Sequence, residues 1–126
     1  MSTTRPPITV AFCHCSDCRR WTGSPAPAFA AFDSKDLSAE PALGAPVITN
    51  PGVERWNCKH CGSPLAATFE YIPDQIYIPL GLIDQADQLP VEIHCFSEKQ
   101  MPWLHIMDDA TRGIGTARDT LVEKAE

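Results

Sequence analysis

The sequence predicts a single, mostly β domain, and three observations carry that expectation. Twelve prolines spread along 126 residues interrupt any long helix. Between them lie short runs of β-branched and aromatic residues, separated by turn-forming residues. Partial alternation at Glu70-Tyr71 and Gln75-Ile76-Tyr77-Ile78 fits half-buried antiparallel strands.

Taken in order, the first strand is expected over residues 8–12, leading into a cysteine-rich segment. The second is expected over residues 28–32. Asn50-Pro51-Gly52 reads as a turn that opens a strand at residues 53–57. Residues 58–62 then form a knuckle in which Gly62 can take the positive φ required, so the strand expected at 65–70 returns as a hairpin. Further strands are expected at 75–80 and 91–96. Residues 116–126 are the best helix candidate, because Ala117, Leu121, Val122 and Ala125 recur at helical spacing behind Thr116 as N-cap. Trp21, Trp56 and Trp103 read as core residues.

Composition narrows the class. Hydrophobic residues make up 44% and charged ones 21%, the balance of a globular protein long enough to bury a core. The formal charge of −6 argues against nucleic acid as a partner, since that role needs a basic face. Apolar stretches such as residues 26–32 are far too short to span a membrane. Residues 1–10 hold no basic start followed by an apolar core, so no secretion signal is expected and the location reads as cytoplasmic. Cysteines in such a setting stay reduced and serve metal or thiol chemistry.

Five of the six cysteines fall in two tight clusters, Cys13-His14-Cys15-Ser16-Asp17-Cys18 and Cys58-Lys59-His60-Cys61-Gly62. Thiolates that bind zinc sit about 2.3 Å from the metal in tetrahedral geometry, so they must converge from short chelate loops. A Cys-x-x-Cys turn does this. Alternate strand residues share a face, so Cys13 and Cys15 can also point the same way. Both clusters therefore read as zinc ligands, with one or two ions expected.

The stretches that hold these clusters, together with several downstream, resemble the glutathione-dependent formaldehyde-activating enzymes and their relatives, which include centromere protein V. The resemblance rests on Cys13-His14-Cys15-x-x-Cys18-Arg19-Arg20-Trp21-x-Gly23-Ser24-Pro25 and Cys58-x-x-Cys61-Gly62-Ser63-Pro64-Leu65. It continues through Gly81-x-x-Asp84, Pro90-x-x-x-His94 and Ser97-x-Lys99-x-x-Pro102-Trp103, spanning about residues 8–106 and leaving 107–126 as a tail. It implies a β-tent, a set of small antiparallel sheets coiled around zinc. It also implies a catalytic zinc held by Cys13, Cys15 and Cys18, and matches Cys58 and Cys61 to half of a four-cysteine structural site. The Cys-x-Cys that supplies the other half in the family has no counterpart in residues 1–10. Three readings stay open: a chain that begins earlier, an empty knuckle, or one zinc shared by Cys15, Cys18, Cys58 and Cys61.

The chemistry implied is that of a carbon–sulfur lyase. Three thiolates leave one vertex of the zinc open, where a small thiol of glutathione type, as co-substrate, is held as thiolate and attacks formaldehyde or a related electrophile. Arg19 and Arg20 are candidates to temper the site's negative charge or to meet a substrate carboxylate, and read equally as solvent-facing. His14 alternates with two ligands and is expected to point away from their metal. His94 reads as a proton donor near the site or a hydrogen-bonded core histidine, Cys95 as a buried apolar residue, and Asp17 as a turn residue. The competing class is a non-catalytic, zinc-stabilised binding or chaperone-like module, and a homo-oligomer is open in either case.

Overall fold

Alternation along two central strands sets the architecture. The computed structural model describes residues 1–116. Its strands are β1 (Ser2–Thr3), β2 (Thr9–Cys13), β3 (Ala28–Asp33), β4 (Leu37–Ser38), β5 (Val47–Asn50), β6 (Val53–Asn57), β7 (Pro64–Phe69), β8 (Gln75–Pro79), β9 (Ile93–Cys95) and β10 (Thr111–Arg112). One α-helix among the described residues, α1 (Ser16–Thr22), separates β2 from β3. Eight strands form one sheet in the order β10-β9-β2-β3-β8-β7-β6-β5, and β1 pairs with β4 as a separate ribbon.

On β3 and β8, Ala30, Phe32, Ile76 and Ile78 point to one face of the sheet, while Phe29, Ala31 and Tyr77 point to the other. Both faces are covered, so the middle of the sheet reads as nearly continuous apolar sequence. Ala30, Ala31, Ala66 and Ala67 have no exposed surface. Their small side chains leave room for larger residues: Trp56, Leu80 and Val91 on the first face, Trp21 and Phe69 on the second. The second face also holds Cys13, Cys15 and Cys18, so the cysteine cluster belongs to the core.

The expected strands occur with shifts of one or two residues at their ends. The β6–β7 hairpin forms as anticipated. Gly62 takes φ +79°, its N–H donates to the Cys58 carbonyl at 2.8 Å, and the Cys58 N–H donates to the Ser63 carbonyl at 2.8 Å. Gly52, also at φ +79°, closes the Asn50-Pro51-Gly52 turn between β5 and β6.

Several features differ from the sequence expectation. β9 runs parallel to β2, and β10 parallel to β9, so the sheet is not antiparallel throughout. Residues 16–22 form a helix rather than a turn. Two helical turns are too short for a hydrophobic period, although Asp17 in the first turn, Arg19 and Arg20 in the last, and Gly23 at φ +74° are the usual end signals. Trp103 is 64% exposed and not in the core. The helix expected over 116–126 falls on residues 117–126, outside those described.

Candidate metal centre

Strand alternation and a helix cap together assemble the centre. On β2, Ala11 and Cys13 share one face and Phe12 the other, and His14 continues the alternation beyond the strand. The chain then turns into α1. Cys15 is the N-cap, with φ −67° and ψ 152°, and its Sγ accepts from the Cys18 N–H at 3.4 Å. Cys18 sits in the first turn and is buried. Cys15 therefore meets Cys13 from a helix cap rather than as its strand neighbour. Cys13 Sγ stands 3.4 Å from Cys15 Sγ, and all three sulfurs lie within 4.8 Å of one another.

The donor set fits zinc. Tetrahedral bonds of about 2.3 Å place sulfurs about 3.8 Å apart, and three sulfurs within 4.8 Å of one another, with one pair at 3.4 Å, are close enough to share one ion. Among the described residues this is the one group of three metal-ligating side chains that converges. Its proton chemistry points the same way. Hydrogen bonds from the Cys13 and Cys18 thiols pull Cys15 down to about 2. Those same contacts, with burial, push Cys13 far above the usual thiol range. Cys18 is drawn down by Cys13 but driven further up by Cys15 and burial, to about 12. Of the three, Cys15 is the sulfur whose surroundings most favour the thiolate, and a metal ion would displace the protons that remain on the cluster.

A cation already stands beside it. Arg55, in the middle of β6, is 1% exposed; its Nη2 donates to Asp17 Oδ2 at 2.7 Å and lies 3.8 Å from Cys18 Sγ. Burial opposes its charge, but the bond to Asp17 and the nearness of Cys18 more than offset this. The guanidinium also lies 4.5 Å from the centroid of the Trp21 ring, a cation–π contact. Sequence reasoning missed this role. An arginine between Glu54 and Trp56 on an expected strand looks like a surface residue, and only the fold brings it to Cys18.

The sulfurs open onto a cavity of about 410 Å³ that includes its mouth. Phe29, Phe69, Tyr71, Tyr77 and Phe96 wall it. Phe69 packs edge-on to Tyr77 and stacked on Tyr71, with centroids 5.2 and 5.4 Å apart. Burial pushes both phenol pKa values up and keeps the rings neutral. Phe96 reaches the cavity from a left-handed conformation, φ 52° and ψ 46°, just past the end of β9.

The remaining candidates separate. His14 is fully buried on the face opposite the sulfurs, as expected, and its Nε2 lies 2.8 Å from His94 Nδ1. His94 Nε2 lies 2.9 Å from Asp108 Oδ2, and Arg112 pairs with the other carboxylate oxygen. His94 is thus a hydrogen-bonded core histidine whose pairing to Asp108, from a distant loop, no local pattern announces. Burial, then His94 and Arg112, lowers the His14 pKa and holds that ring neutral. Asp17 does more than turn the chain: Oδ1 accepts from Asn50 and Oδ2 from Arg55. Arg19 reaches Met101 Sδ at 3.9 Å, Arg20 is exposed, and neither lines the cavity. Cys95 is buried, as expected, and lines the cavity. Cys58 and Cys61 do not join the first three cysteines. Cys61 is exposed beside Ser63 Oγ at 3.2 Å, and Cys58 and His60 border a separate depression with Leu43 and Leu65.

The family model described as glutathione-dependent formaldehyde-activating enzyme matches residues 1–99. No curated protein matches the chain at a significant level.

Proposed function

The chain belongs to the glutathione-dependent formaldehyde-activating enzyme family, and from that premise we propose a zinc-dependent enzyme of carbon–sulfur lyase type. Its substrates are a small thiol, glutathione being the family's named example, and formaldehyde or a related small electrophile. One observation carries the proposal: three cysteine sulfurs converge at the base of an aromatic cavity, where a fourth coordination position would face the cavity.

Zinc, when bound, supplies the positive charge that keeps an incoming thiol deprotonated near neutral pH. The reaction then joins sulfur to the carbonyl carbon, the C=O electron pair moves to oxygen, and that oxygen takes a proton. The reverse breaks the same carbon–sulfur bond. Cys13, Cys15 and Cys18 hold the ion. Arg55, 3.8 Å from Cys18 Sγ, offsets the excess negative charge of three thiolates. The aromatic wall excludes water, so the thiolate competes less with hydration. Arg19 and Arg20 stand outside the cavity, and a carboxylate they meet belongs to a part of the substrate left in solvent.

The test is zinc content together with turnover of thiol–formaldehyde adducts, followed by NMR exchange of labelled formaldehyde. Cys15→Ser is expected to lose the zinc held at this centre and all turnover. Undiminished turnover in that variant would remove the proposed centre. Zinc retained in the native chain without turnover would leave a binding module in place of an enzyme.

A further inference from the structure

We propose that His14, His94 and Asp108 form a positioning chain for the three-cysteine centre. From the far side of β2 they keep Cys13 and Cys15 converged, so a metal ion meets sulfurs that are already aligned. This rests on reading those sulfurs as metal ligands, and it names residues that serve them without touching the ion.

β2 ends at Cys13, where the chain leaves the sheet for α1, and His14 is the link between two of the three sulfurs. Two bonds set its direction. Its N–H donates to the Cys95 carbonyl at 3.1 Å, and its ring Nε2 lies 2.8 Å from His94 Nδ1. The two imidazoles are coplanar to within 2°, and the Phe12 ring stacks 5.0 Å from the centroid of His94. His94 is fixed in turn at its other nitrogen, 2.9 Å from Asp108 Oδ2. Asp108 is itself held, because Oδ1 accepts from the Ala110 N–H at 3.1 Å and pairs with Arg112. The chain thus runs from a loop carboxylate, through two imidazoles with no exposed surface, to the residue between Cys13 and Cys15.

The chemistry argues for direction rather than filling. Apolar side chains would occupy this space without desolvating two imidazoles and part of a carboxylate. What they lack is alignment, since packing tolerates rotations that a hydrogen bond between two ring nitrogens does not. Released from that bond, His14 is free to turn, and the 3.4 Å between the sulfurs on either side of it depends on its orientation. Partners one step behind the ligands change metal affinity by about 10- to 100-fold.

Zinc affinity, measured by competition with a chromophoric chelator on variants shown by circular dichroism to be folded, tests this. His94→Leu fills the space but removes both bonds, and is expected to weaken zinc binding about tenfold or more. His94→Asn places an amide where Nδ1 stood, so it keeps a partner for His14 and should recover most of that loss. Packing alone predicts the opposite order, with leucine at least as good as asparagine. Co²⁺ gives a second readout: its sulfur-to-metal charge-transfer bands should shift in His94→Leu and stay close to native in His94→Asn. Native zinc affinity in folded His94→Leu, or leucine equal to asparagine, overturns the proposal. Where His94→Leu does not fold, Asp108→Ala decides, since Asp108 is 24% exposed and easier to replace. It should weaken zinc binding about threefold or more, and native affinity there overturns the proposal. Failure of the centre itself looks different. A native chain that binds no more zinc than Cys15→Ser removes the centre and the positioning role together. Zinc bound without thiol turnover removes the enzyme reading alone, and the affinity order among the variants still decides this one.

Discussion

Arg55 donates to Asp17 across 2.7 Å and so ties the Cys58–Cys61 hairpin to the helix that carries Cys18. The same guanidinium is sandwiched by chemistry of two kinds, a carboxylate at its edge and the Trp21 face 4.5 Å away. Nε and Nη1 make no hydrogen bond, so the aromatic contact is what compensates part of their burial.

Arg55→Ala is therefore expected to destabilise the fold by about 2–4 kcal/mol, through lost packing as much as lost charge. Arg55→Lys should recover less than half of that, because an ammonium cannot lie flat on Trp21 while reaching Asp17. Urea unfolding of both variants checks the order. If lysine restored native stability, the planar stacking would not matter.

What the sequence disclosed here was local. Cys13, Cys15 and Cys18 lie within one short segment, and strand alternation at Cys13 already turned His14 away from the sulfurs. The glycines at positions 52 and 62 announced their turns through backbone freedom that other residues lack. Contacts between distant segments were not legible. Arg55 meets Cys18 across 37 positions, and His94 meets Asp108 because the segment ahead of β10 is carried to β9 by their parallel pairing. Parallel pairing leaves no hairpin turn to read, and β5, exposed at all four residues, lacks the apolar–polar alternation of a half-buried strand.

The turn at Gly52 makes a second prediction. Its φ is +79°, and a Cβ built there would stand 3.1 Å from Glu70 Cβ and closer still to that carboxylate. Gly62 has the same φ but nothing within 4 Å. Gly62→Ala should thus cost only the backbone conformation, about 1 kcal/mol, while Gly52→Ala costs that and the displacement of Glu70. Thermal unfolding of the two variants should place Gly52→Ala lower, and the reverse order would refute the steric reading.

Acid sensitivity provides the third prediction. Burial tends to raise the Asp108 carboxyl, but hydrogen bonds from Arg112 and His94 outweigh it and hold the group at about 2. A carboxyl whose folded pKa lies below its unfolded value of about 3.9 binds its proton more readily in the unfolded chain. Its contribution is therefore complete above about pH 4, and it drains away as the pH falls through about 2. Part of the group is solvated, which limits that contribution to on the order of 1 kcal/mol. Asp108→Asn should be less stable than the native chain by that amount at pH 6, with the gap closing as the pH approaches 2. Urea midpoints measured at pH 6, 4 and 2.5 check it. A gap that stayed constant across those values would mean that the loss in Asp108→Asn does not come from the carboxylate's charge.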